Sequence, residues 1–262
     1  MQDLNVTLVQ TPLFWEDKTA NLAMLEEKLF NYEAPTDLIV LPEMFNTAFS
    51  MQAEKLAEPI NLHTFKWMRQ LAAQKQAVVT GSYIVKEKAK FFNRLIWMQP
   101  DGKYYTYDKR HLFRMMDEHY HFDMGQSALV VELKGWKIKP LVCYDLRFPV
   151  WSRNAASNNE LSYDLLLYVA NWPAARVNAW DALLKARAIE NLSYSVGVNR
   201  VGSDGNDVVF NGHSGAYNFK GEMLYNAGEV EAIHTISLSW DALKSGREKF
   251  PAHLDADDFT IS

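Results

Sequence analysis

Three residues of unlike chemistry each stand where an apolar run gives out. Glu43 follows Leu38-Ile-Val-Leu-Pro42, Lys109 follows the returning arm of an apolar hairpin, and Cys143 follows Lys139-Pro-Leu-Val142. A carboxylate, an ammonium and a thiol are the parts of acyl transfer through a thioester. The carboxylate takes the thiol's proton and returns it to a departing amine. The ammonium offsets the negative charge that forms on a carbonyl oxygen when sulfur adds to carbon. Each residue alone has an ordinary alternative, since most glutamates and lysines are solvated and a free cysteine more often packs as a small hydrophobe. Their shared placement argues for a site, because α/β folds gather chemistry from distant parts of a chain at strand ends. A helix beginning after Cys143 would add backbone N–H groups and a positive dipole end that favour the thiolate.

The elements that must position them follow from periodicity. Residues 4–9 alternate as a strand, and 18–30 place Leu22, Leu25 and Leu29 on one helical face. Strands are predicted over 37–41 and 77–85, with a helix over 62–74 between them carrying Phe65, Met68, Leu71 and Ala72. The turn Pro100-Asp-Gly102 joins strands 92–98 and 103–107 into a hairpin. Further strands are expected at 129–133, 136–142, 165–170, 194–199, 215–219 and 232–238, and a helix at 177–191. At least ten strands are too many for one sheet covered on a single side. The fold class expected is therefore α/β, with two mixed sheets packed face to face, helices outside them, and one domain over residues 1–262.

Composition removes several function classes. A net charge of -5, with the basic residues scattered, leaves no footprint for a phosphate backbone, so nucleic acid is not an expected partner. The first ten residues carry Asp3 where a signal peptide needs base, and no apolar run approaches bilayer length; no membrane association and a cytoplasmic location are expected. A single cysteine excludes an internal disulfide, a CxxC redox pair and a multi-cysteine metal site. His119 and His121 are two residues apart with no third ligand at compatible spacing. They read as loop surface or substrate mouth, and neither metal nor cofactor is expected.

The segments Leu41-Pro-Glu43-Met-Phe45, Tyr107-Asp-Lys109-Arg-His-Leu-Phe113 and Val142-Cys143-Tyr-Asp-Leu-Arg-Phe-Pro149 resemble, in order, the three motifs of the nitrilase superfamily of carbon-nitrogen hydrolases. Ala170-Asn-Trp-Pro173 and Lys185-Ala-Arg-Ala-Ile-Glu-Asn191 are similar to further family segments. The resemblance implies a four-layer αββα sandwich, a homodimer or higher homo-oligomer, and a Glu43–Lys109–Cys143 triad without metal. It also implies a second glutamate before the cysteine strand. Glu118, seven residues ahead of Gly125, has that spacing, with Asp117 and Asp123 as neighbouring competitors.

The stretches Pro42–Phe45, Lys109–Phe113, Asn171–Arg176 and Asn199–Gly205 are most similar to omega-amidases. That implies a small-molecule amide substrate: a 2-oxo dicarboxylate monoamide such as 2-oxoglutaramate, cleaved to ammonia and the acid. A nitrilase or an N-carbamoyl amine hydrolase would use the same triad. In such a mechanism the Tyr144 backbone N–H joins Lys109 at the oxyanion. Either Arg147 or Arg176 clamps the substrate's distal carboxylate, and Phe45 and Trp172 wall the pocket.

Overall fold

The alternation of side chains along β1 (Leu4–Gln10) sets how the first sheet faces its neighbours. Leu4, Val6 and Leu8 enter one core cluster and Val9 another, so both faces are covered. The computed structural model describes residues 1–157 and 160–257. After β1 come β2 (Leu38–Val40), β3 (Val78–Glu87), β4 (Lys90–Met98), β5 (Tyr104–Asp108), β6 (Val131–Leu133) and β7 (Trp136–Val142). These are followed by β8 (Leu165–Val169), β9 (Tyr194–Val198), β10 (Gly215–Tyr217), β11 (Met223–Asn226) and β12 (Ala232–Leu238). They form two six-stranded sheets, ordered β12-β1-β2-β3-β4-β5 and β11-β10-β9-β8-β7-β6.

Both sheets have the same plan. Three parallel strands, β1-β2-β3 in one and β7-β8-β9 in the other, are flanked by antiparallel strands. The parallel strands read as nearly continuous apolar runs because both of their faces are covered. Helices α1 (Lys18–Phe30) and α2 (His63–Lys75) close the outer face of the first sheet, with Leu22, Leu25, Leu29, Phe65, Met68 and Leu71 meeting Val9, Ile39 and Val79. Helix α3 (Val177–Glu190) buries Trp180, Leu184 and Ala188 against the second sheet, and α4 (Trp240–Lys249) buries Leu243. One core runs between the sheets, from Leu38, Val40, Leu95 and Trp97 to Leu141, Leu167 and Val169. This is the four-layer αββα sandwich that the pattern predicted.

The expected strands and helices are present with ends shifted by a few residues. Several elements have no counterpart in the periodicity reading, among them strand β11, helix α4 and a short ribbon. Helix α4 packs only Leu243 and, partly, Trp240 on the core, so its apolar stripe is short. The ribbon Val201–Ser203/Val209–Asn211 is short and half exposed. Among the described residues no helix is long and apolar enough to cross a membrane.

Candidate active site

Parallel strands of one sheet end on the same side, so their following residues converge. Past β2, the Leu41 N–H donates to the Thr80 carbonyl at 2.8 Å and the Phe45 N–H to Ser82 at 3.1 Å, which carries the chain along β3. Met44 then turns at φ 43 and leaves Glu43 wholly buried. Past β5, the Lys109 N–H donates to the Asn93 carbonyl at 3.0 Å, and the Lys109 carbonyl accepts from the Gly125 N–H at 2.9 Å. Past β7, Cys143 sits at φ 43 and opens a 3₁₀ turn, Cys143–Arg147. A non-glycine residue in the left-handed region at a strand end is strained, and such strain clusters at functional sites.

The three converge with Glu118, from the loop that follows β5. The Lys109 ammonium donates to Glu43 Oε1 at 2.9 Å and to Glu118 Oε1 and Oε2 at 3.0 and 2.9 Å. Asn93 Nδ2 donates to Glu43 Oε1 at 2.8 Å, and the Asn171 N–H to Glu43 Oε2 at 2.8 Å. The Cys143 thiol points at the Asn171 carbonyl, 3.8 Å away. Glu118 also accepts from the Phe113 N–H, which closes its own loop. Asp117 and Asp123, its neighbours in sequence, stay outside the cluster: Asp123 pairs with Lys90 at the surface.

Two carboxylates, one ammonium and one thiol out of water strongly perturb one another. Burial alone would drive the Lys109 proton off, but Glu118 and Glu43 more than offset it and hold the ammonium charged. Burial raises the Glu118 carboxyl, with Glu43 adding to the rise and Lys109 opposing it. Burial, and after it the charge of Glu43, push the Cys143 thiol well up, while Lys109 pulls it down. A helix beginning after Cys143 would favour the thiolate; the chain makes only a short 3₁₀ turn there, and burial with Glu43 favours the protonated thiol instead.

A cavity of about 390 Å³ opens onto this cluster. Lys109 and Cys143 reach its wall, whereas Glu43 and Glu118 lie behind it. Tyr144, Arg147, Trp172 and Arg176 all line it. The Arg147 guanidinium stacks over Trp172, 5.0 Å from the ring centre, and Arg176 over Phe113 at 5.6 Å. Neither arginine forms an ion pair among the described residues; both line the cavity, and Asp204 lines it as well. Arg147 ends the 3₁₀ turn rather than lying on a longer helix.

Phe45 is a correction. It is fully buried in the core beneath α2, against Trp67 and Tyr83, and does not reach the cavity. The next aromatic side chain along the chain does: Phe49 lines the cavity, its ring 5.0 Å from the Lys109 nitrogen. His119 is half-buried and His121 exposed on the one-turn helix Glu118–His121, and neither lines the cavity. Among the described residues no group of three His, Cys, Asp or Glu side chains is arranged to hold a metal ion.

Sequence reasoning gave no role to Asn93 or Asn171. Both had a signal. Asn93 is a polar residue inside the apolar run of β4, and Asn171 follows β8 as Glu43 follows β2.

A sequence model of carbon-nitrogen hydrolases matches residues 5–245 of this chain. Omega-amidase YafV of Escherichia coli (strain K12) is 47% identical over 264 residues, covering 100% of both chains. A 2-oxoglutaramate amidase of Bacillus subtilis (strain 168) is 29% identical over 253 residues, covering 95% of this chain and 96% of the other. Among solved structures, XC1258 from Xanthomonas campestris, described as a CN-hydrolase superfamily protein with an arsenic adduct in the active site, superposes with a TM-score of 0.98. Its sequence is 44% identical, with 100% of each chain covered.

Proposed function

The chain belongs to the carbon-nitrogen hydrolase family, and from that membership we propose that it is an omega-amidase, a hydrolase of the terminal amide of small 2-oxo dicarboxylate monoamides such as 2-oxoglutaramate. The relatives named for those activities carry the substrate class. The observation that carries the mechanism is the Lys109 ammonium held between the Glu43 and Glu118 carboxylates beside a thiol at the cavity wall.

In this reading Glu43 takes the Cys143 proton as sulfur adds to the amide carbon. The oxyanion forms against Lys109 and the Tyr144 N–H. Glu43 returns the proton to nitrogen, the C–N bond breaks, and ammonia leaves a thioester on Cys143. Water then gives a proton to Glu43 and its oxygen to the thioester carbon. The C–S bond breaks, the acid departs, and the proton returns to sulfur. Glu118 fixes Lys109 and, through it, the carboxylate that handles every proton. Arg147 and Arg176 are the candidate cations for the distal carboxylate, and Trp172, stacked under Arg147, is part of the pocket wall. Residues 1–262 act as one catalytic unit, in the cytoplasm and as a homodimer or larger homo-oligomer.

The reading is tested by ammonia release from 2-oxoglutaramate, a nitrile and an N-carbamoyl amino acid in parallel, with mass spectrometry of the quenched enzyme. The amide is expected to turn over fastest and to leave an acyl adduct on Cys143, and Cys143→Ala to be inactive. Equal turnover by Cys143→Ala, or preference for the nitrile or carbamoyl compound, would overturn it.

A further inference from the structure

Lys109 is drawn toward Glu43 and Glu118, and none of the bonds to its ammonium ties it to Cys143. The sulfur belongs to the second sheet and the lysine to the first. The gap between them must nevertheless be fixed, because the ammonium has to meet an oxyanion generated by that sulfur.

We propose that Asp145 is the positioning residue that fixes it, its carboxylate clamping the cysteine turn to the segment that carries Lys109. Asp145 is fully buried two residues beyond Cys143. Its Oδ2 accepts from the Val142 N–H at 3.0 Å and from the Tyr107 hydroxyl at 2.7 Å. Its Oδ1 accepts from the His111 N–H at 3.0 Å and lies 2.7 Å from His111 Nδ1. An ionised carboxylate only accepts, so Nδ1 carries the proton in this contact. Tyr107 and His111 stand two residues before and two after Lys109. One side chain therefore grips the lysine segment on both sides of the lysine, and grips the cysteine turn at the residue before the sulfur.

The clamp is itself held. Trp151 Nε1 donates to the Tyr107 hydroxyl at 2.9 Å, and the His111 ring stacks on Phe148 with centres 3.7 Å apart. The bond to Val142 also stabilises the φ 43 backbone at Cys143. Asparagine in place of Asp145 keeps the shape but puts an NH₂ group where donors converge, so at least one of these bonds becomes a donor–donor contact. Tyr107→Phe removes one donor to Asp145, takes the acceptor from the Trp151 Nε1–H, and leaves the cavity wall untouched, since Tyr107 does not line it.

The inference rests on the thioester reading, and its test separates the two. Full-length wild type, Asp145→Asn and Tyr107→Phe are compared by 2-oxoglutaramate hydrolysis, by thermal melting, and by the pH profile of Cys143 alkylation with iodoacetamide. Asp145→Asn is expected to lower kcat about a hundredfold, as a displacement of about 1 Å at reacting groups does, with KM nearly unchanged. Tyr107→Phe is expected to lower it about tenfold, the effect of one hydrogen bond to a charged group. In both variants the alkylation profile moves to higher pH, because the cation that favours the thiolate has drifted from sulfur.

Folded variants with wild-type kcat and an unmoved profile, or with a change in KM alone, would overturn the clamp. If Asp145→Asn does not fold, Tyr107→Phe decides the matter. A wild-type enzyme inactive on 2-oxoglutaramate would instead sink the amidase reading, with the alkylation profiles still testing the clamp.

Discussion

Lys109 is a counter-ion before it is anything else. Removing it by Lys109→Met leaves two fully buried carboxylates, Glu43 and Glu118, without their shared cation, which favours uptake of a proton by the pair. The oxyanion loses its cation at the same time. The expected outcome is a fall in kcat of about a hundredfold or more, read as ammonia release. The two arginines are separable by a different readout. Arg147→Ala and Arg176→Ala are each made and assayed with anionic 2-oxoglutaramate and with a neutral amide of similar length. The variant that has lost the carboxylate clamp should raise KM for the anion about tenfold or more and leave the neutral amide unaffected. If neither variant moves KM for the anion, the distal carboxylate is held elsewhere.

At the level of the elements, the loop between β5 and β6 depends on one close approach. A Cβ on Gly125 would stand 2.0 Å from the Asp108 carbonyl oxygen, and that backbone has no room to give. Gly125→Ala must lift the loop from Lys109 and carry Glu118 with it. We expect a destabilisation of about 1–3 kcal/mol in urea unfolding, as for an overpacked interior site, together with lowered kcat. A variant with unchanged kcat would mean that Glu118 holds its place without this contact. The same loop shows what sequence could and could not convey. Glu43, Lys109 and Cys143 were legible because each ends an apolar strand, and the strands themselves announced the sandwich. Glu118 was legible only through the family resemblance, by its spacing from Gly125, and Phe45 was misplaced by a local geometry no periodicity encodes. The turn at Met44, φ 43, sends Phe45 back under α2 and gives its expected place to Phe49. Helix α4 is not legible because only Trp240 and Leu243 pack on the core, a stripe too short to register.

The whole molecule also carries a charge that its catalysis does not use. Lys139, in the middle of β7, is 7% exposed, donates to the Trp151 carbonyl at 2.6 Å and lies over the Trp151 and Tyr163 rings. Burial, weakly opposed by Asp145, pushes its amine down to about 8 from 10.5. Between those values the unfolded chain holds a proton that the folded chain has released, so this group's contribution to stability rises with pH across the window and is least below pH 8. Wild type should therefore gain on Lys139→Met by on the order of 1–3 kcal/mol between pH 7 and pH 10, measured by urea unfolding. Whatever the substitution does at the Trp151 carbonyl is the same at both pH values. Parallel curves would mean that Lys139 titrates as an ordinary lysine.

Cys143 itself is 8% exposed, at the wall of a chamber of about 390 Å³. An acylating thiol open to every primary amide would be a hazard to the glutamine and asparagine side chains of surrounding polypeptides. A cysteine this little exposed, set in the wall of a small chamber, is a poor target for a side chain still attached to a folded neighbour.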